Sequence, residues 1–112
     1  RVSKRRTKAE RSAKKALKIF KRVGDKSLEA LTLNQMAAID RTEKDLESAL
    51  QTSQEAVAVA QDAGDSRIEA MCLHGLALGQ ASVGLIEEAV KTEEEALPMV
   101  QKLGIKNLEA VA

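Results

Sequence analysis

Apolar residues recur along this chain at helical spacing, in blocks that polar turn residues separate. Ala9, Ala13, Ala16, Leu17 and Phe20 share one face at intervals of three and four, predicting a first helix over residues 7–23. Gly24-Asp25 stops it, glycine taking the left-handed backbone that closes a helix. Asp25 or Ser27 is placed to cap a second helix over 27–41, whose stripe holds Leu28, Leu31, Leu33, Met36, Ala37 and Ile39. Asp40 to Glu43 reads as a polar turn with Thr42 as the N-cap of a third helix over 43–63, lined by Leu46, Ala49, Leu50, Ser53, Ala56, Val57 and Ala60. Gly64-Asp65-Ser66 repeats the stop and start. A fourth helix follows over 66–82, a turn at Val83-Gly84, and a fifth helix over 85–103. Gly104 to Asn107 predicts a third turn, and Leu108 to Ala112 the opening of a sixth helix. Pro98 removes a backbone donor and crowds the carbonyl of Glu94, predicting a kink or early break in the fifth helix.

These blocks repeat. Gly24, Gly64 and Gly104 stand forty residues apart, each followed five residues later by Glu-Ala. In the same register Ala9, Ala49 and Ala89 align, as do Ala16, Ala56 and Ala96, and Leu33 falls on Leu73, Met36 on Leu76, Ala37 on Ala77 and Leu46 on Ile86. A fixed period of this size means stacked helical units, each burying its face on its neighbour. The predicted organisation is one array: residues 1–23 as the second helix of a partial unit, 27–63 as unit one, 66–103 as unit two, and 106–112 as the start of a further helix.

The helix pairs resemble tetratricopeptide repeats, in which the first helix of each pair carries a large residue and then Leu followed by a small residue, and the second carries two alanines seven apart. Leu73, Leu76-Ala77, Gly84, Ala89 and Ala96 supply that pattern in unit two; Leu33, Met36-Ala37, Ala49 and Ala56 supply it in unit one. The chain departs from the family where aromatics are usual, at Asp40, Ser53, Gln80 and Glu93, and its units exceed the family's length. They are similar to a forty-residue variant with Gly-Asp turns and Glu-Ala openings. The resemblance implies an all-α, right-handed α-α superhelix of antiparallel helix pairs. It also implies a concave partner-binding face made by the first helix of each pair: Leu31, Asn34, Ala38, Arg41 and Thr42, then Met71, His74, Leu78, Ala81 and Ser82. That face is apolar and nearly uncharged, and it lacks the cationic clamp by which some family members hold a C-terminal carboxylate. An apolar segment or helix is the expected partner. Without a polar capping helix at either end, the array is expected to belong to a longer one or to a larger multi-subunit assembly.

Composition supplies one further signal. The chain carries a formal net charge of +1, yet residues 1–22 hold eleven basic residues against Glu10, a net +10, leaving −9 on the rest. Lys4, Arg5, Arg6, Lys8, Arg11, Lys14, Lys15, Lys18, Lys21 and Arg22 form a basic patch suited to an acidic protein surface, nucleic acid or an anionic lipid surface. Such a segment superficially resembles an organellar transit peptide, but the helical spacing of its alanines favours a packed helix. With Phe20 the sole aromatic, packing rests on Ala, Leu, Val, Ile and Met, which predicts few deep pockets.

Candidate chemistry is sparse. Cys72 is the single cysteine, so no intrachain disulfide forms, and it is expected to be a buried small hydrophobe. The low cysteine usage suits a reducing, intracellular compartment, cytoplasm or organelle matrix. His74, the single histidine, lies two residues away, a helical spacing that points the two side chains apart, and no neighbouring carboxylate in the sequence supports a metal site. Glu87, Glu88 and Glu93 to Glu95 fan around the fifth helix and read as a solvated acidic face. No phosphate loop, nucleophile motif or membrane-length apolar run occurs, and Gly75, Gly79 and Gly84 are explained by helix packing and turns. The expectation is a non-catalytic interaction scaffold or adaptor without cofactor or metal, the alternative being an electrostatic tether through its basic helix.

Overall fold

The computed structural model describes the backbone of residues 4–111 and the side chains of residues 8–103. Among the described residues five helices follow one another: α1 (Lys4–Val23), α2 (Lys26–Thr42), α3 (Leu46–Ala63), α4 (Ser66–Ser82) and α5 (Ile86–Val111). The forty-residue register is reproduced to the residue, since the bounds of α4 are those of α2 moved by one period, and α5 starts one period after α3. Each helix packs on the next-but-none, α2 also meets α4, and the result is elongated, with extents of 49 × 36 × 25 Å. This is the helical stack expected of the repeat.

The boundaries follow local chemistry. Gly24 and Gly64 take positive φ values of 78° and 72° and end α1 and α3. Asp25 then caps α2, its carboxylate accepting from the Leu28 amide at 3.0 Å, and Asp65 caps α4 by accepting from Arg67 and Ile68. The turn inside each pair also uses a left-handed residue: Gly84 (φ 89°) in unit two, but Lys44 (φ 69°) in unit one. That is a conformation an L-residue with a long side chain adopts at a cost.

Four expectations are corrected here. Helix α2 runs on through Thr42, and α3 begins at Leu46 behind Asp45, so Thr42 caps nothing; its hydroxyl donates to the Ala38 carbonyl at 3.0 Å. The polar stretch from Asp40 stays helical because the left-handed residue that ends the helix sits further on, at Lys44. Of the kink or early break expected at Pro98, the break does not occur, since the helix is continuous on both sides of it. No turn forms at Gly104 either: the backbone remains helical to Val111, so the expected sixth helix is the end of the fifth. Unlike Gly24 and Gly64, Gly104 is not followed by an aspartate that would cap a new helix. Residue 112, the last of that expected helix, lies outside the described residues.

The core is built from small residues. Ala30, Leu33, Ala56, Val57, Ala60, Cys72, Leu73 and Ala96 form one buried cluster, with Leu17, Met36, Ile68, Leu76 and Met99 packed on it. Ala30, Ala37, Ala49, Ala56 and Ala60 are all 0% exposed, as helices in close approach require. Where the family pattern would put aromatics, polar ties join the two helices of each pair. Ser48 donates to buried Asp40 at 2.8 Å, and Thr92 donates to Gln80 Oε1 at 2.7 Å.

Candidate functional site

The ten residues of the expected concave face divide by unit. In unit two, Met71, His74, Leu78, Ala81 and Ser82 are all exposed; Met71 keeps 47% and Leu78 42% of its surface in water. In unit one, Leu31, Asn34, Ala38 and Arg41 are half-buried, and only Thr42 is exposed. The cause is α4. Arg41 donates from its guanidinium to the Gly75 carbonyl at 3.2 Å, and the Asn34 carboxamide lies against Gly75 so tightly that a Cβ there would collide with its oxygen. Two candidate contact residues are thus used to join the units. Ser82, like Thr42, donates to its own helix, to Leu78 O at 2.8 Å.

On unit two the open surface continues into a groove of about 580 Å³ between α4 and α5. Ala70, Ala77, Ala89 and Ala96 form its floor, while Leu78, Ile86, Val90, Leu97 and Val100 form its walls. The last four are 51–57% exposed, a contiguous apolar strip. His74 and Glu93 cross the groove, Nδ1 to Oε2 at 2.9 Å. The expectation that no carboxylate neighbours His74 is therefore corrected: nineteen residues of sequence separate partners that the helix pair brings together, while Glu93 remains exposed with the rest of the acidic face. The contribution of α5 was also missed, because attention to first helices alone ignored Ile86, Val90, Leu97 and Val100, which recur at helical spacing and align with Leu46, Leu50, Val57 and Ala60 of α3.

Cys72 and His74 do point apart: the thiol is fully buried, donating weakly to Ala30 O, and the imidazole is exposed. Burial, and secondarily the charge of Glu69, pushes the Cys72 thiol up to about 11. Such a thiol is neither nucleophile nor ligand near neutrality. Among the described residues no group of three metal-ligating side chains occurs, and no helix is long and apolar enough to cross a membrane.

On α1, Lys8, Arg11, Lys14, Lys15, Lys18, Lys21 and Arg22 are all exposed. Elsewhere, Lys26 forms an ion pair with Asp62 at 3.1 Å. The side chains of Lys4, Arg5 and Arg6 lie outside the described residues.

Fold, register and apolar face together define an α-helical repeat protein whose working parts are surfaces. A family model for the tetratricopeptide repeat matches residues 28–102. The chain belongs to the tetratricopeptide repeat family, whose repeats generally mediate protein–protein interaction as non-catalytic scaffolds. No curated protein and no solved structure matches the chain.

Proposed function

We propose that this protein is a non-catalytic adaptor, working as a subunit of a larger assembly, that holds an apolar segment or helix of a partner on its concave face. The observation that carries this reading is the exposure of Met71 and Leu78 on the first helix of unit two, flanked by His74, Ala81 and Ser82. Leu31, Asn34, Ala38, Arg41 and Thr42 extend the face into unit one, with Asn34 and Arg41 fixing its shape from their contacts with Gly75. Apolar side chains kept in water by a rigid scaffold favour association, because covering each removes apolar area from water without a conformational cost to the scaffold. Replacing Met71 and Leu78 by Asp is expected to abolish capture of the partner in co-purification while leaving the helical circular dichroism intact. Capture that survives both substitutions counts against this face.

A second reading is favoured by α1, where seven basic side chains from Lys8 to Arg22 are exposed. They supply an electrostatic tether to an acidic protein, RNA or an anionic membrane surface. Its mark is salt: binding should fall steeply with ionic strength and with neutralisation of these residues. Binding that persists in high salt after neutralisation excludes the tether.

A further inference from the structure

Six exposed basic side chains, Arg11, Lys14, Lys15, Lys18, Lys21 and Arg22, share one face of α1. At about 100° and about 1.5 Å per residue they fall within an arc of about 120° and span about 17 Å. The residues between them point out of that arc, so the strip is uninterrupted. The forty-residue register shows that this face is surface in every unit. Moved forward one period, the six positions become Gln51, Gln54, Glu55, Ala58, Gln61 and Asp62 of α3, all exposed although α3 packs against both α2 and α4. Moved two periods, they become Lys91, Glu94, Glu95, Pro98, Gln101 and Lys102 of α5, again all exposed. A neighbouring helix of the array on either side therefore leaves this face uncovered. The six positions carry a charge of +6 in α1, −2 in α3 and, with two bases against two acids, 0 in α5. The fold does not require the six cations, since α3 forms the same helix with none.

We infer that this strip of α1 lies along a membrane surface that bears anionic phospholipids. This rests on the tether reading and commits it to one surface. Four of the six residues are lysines, whose ammonium ions act as point charges without a fixed geometry, whereas planar, bidentate recognition of carboxylate or phosphate favours arginine. No aromatic or amide side chain stands within the strip to stack on a base or read its edge. A straight strip meets few phosphates of a duplex, whose backbone winds away from it, but a bilayer offers all six cations one plane of headgroups. Flexible lysine stems let the residues at the margins of the arc reach that plane. The chain outside residues 1–22 has a net charge of −9 and is repelled by the same surface, so that α1 is held against the lipid and the acidic α5 away from it.

The test is co-sedimentation of the full chain with two kinds of vesicle: phosphatidylcholine alone, and phosphatidylcholine with phosphatidylserine as about one lipid in three. The chain should sediment with the anionic vesicles only, and less so as ionic strength rises. Each cation near such a surface contributes about fivefold in affinity, so Lys14→Gln, Lys15→Gln, Lys18→Gln and Arg22→Gln together should weaken binding by about a hundredfold or more. Lys91→Gln with Lys102→Gln, at the same register on α5, should leave binding unchanged. Glutamine is a good helix former, so both variants should keep the far-UV circular dichroism of the wild type. Duplex RNA, added at a phosphate concentration equal to that of the phosphatidylserine, should not displace the wild-type chain from the vesicles. Equal sedimentation with neutral vesicles, none with anionic ones, undiminished binding of the quadruple variant, or displacement by the duplex overturns the inference. The vesicle comparison and the duplex competition use the wild-type chain and so hold whether or not a variant folds. If the vesicles fail while partner or RNA capture stays salt-sensitive and dependent on the four residues, the lipid is discarded and the tether reading stands. If that capture is also insensitive, both are discarded.

Discussion

Gly75→Ala tests whether the units are locked together at the contact of α4 with Asn34. By itself a mid-helix Gly-to-Ala change stabilises a helix by about 1 kcal/mol. Here the added methyl would collide with the Asn34 carboxamide oxygen, and Gly75 is buried, so the Asn34 side chain must turn within a packed interface. Overpacking of this kind costs about 1–3 kcal/mol, so the single variant should be neutral to destabilised by about 2 kcal/mol. Asn34→Ala removes the obstacle, and because Oδ1 has no hydrogen-bond partner its loss should itself be nearly neutral. In that background Gly75→Ala should recover its stabilisation of about 1 kcal/mol. The double-mutant cycle thus predicts a coupling of about 1–3 kcal/mol. Urea unfolding followed by far-UV circular dichroism is the suitable assay, since the chain has no Trp or Tyr to report by fluorescence. Coupling below about 0.5 kcal/mol, with Gly75→Ala stabilising in both backgrounds, would refute the tight seat.

Other consequences follow from the same register. Lys44→Gly relieves a left-handed residue and should stabilise by about 0.5–1 kcal/mol, whereas Gly84→Lys should destabilise by at least as much; melting temperatures that fail to move in opposite directions would contradict the shared turn. Asp25→Ala and Asp65→Ala should each cost about 1 kcal/mol, and equal stability of either variant to wild type in urea would deny its carboxylate a capping role. Cys72, with its thiol pushed up to about 11, should resist alkylation in the native state at pH ~8 and react once urea unfolds the chain. Because the folded-state value lies above the thiol's ordinary value of 9.0, the linked stability is present below pH ~9 and is lost between pH ~9 and ~11; a flat stability profile across that window would contradict the assignment.

The forty-residue register made the stack, the glycine stops and the alanine core legible from sequence, because each is a local rule applied at every repeat. Lys44 hid the turn of unit one, since nothing about a lysine announces a left-handed backbone. Gly104 signalled a stop that does not form; unlike Gly24 and Gly64, it is not followed by an aspartate able to cap a new helix. The His74–Glu93 bridge and the α5 wall of the groove depend on how two helices lie against each other, a relation that helical periodicity within one helix does not carry. Asn34 and Arg41 illustrate the same gap: their type suited a ligand contact, but α4 lies on them first.

The central claim, that the open face of unit two receives a protein partner, is tested most directly by site-specific photo-cross-linking. A photo-reactive residue at Leu78 is predicted to cross-link to the partner that co-purifies with the wild-type protein, and one at Ala58, exposed on α3, is predicted not to. Cross-linking from Ala58 but not from Leu78 would contradict the account.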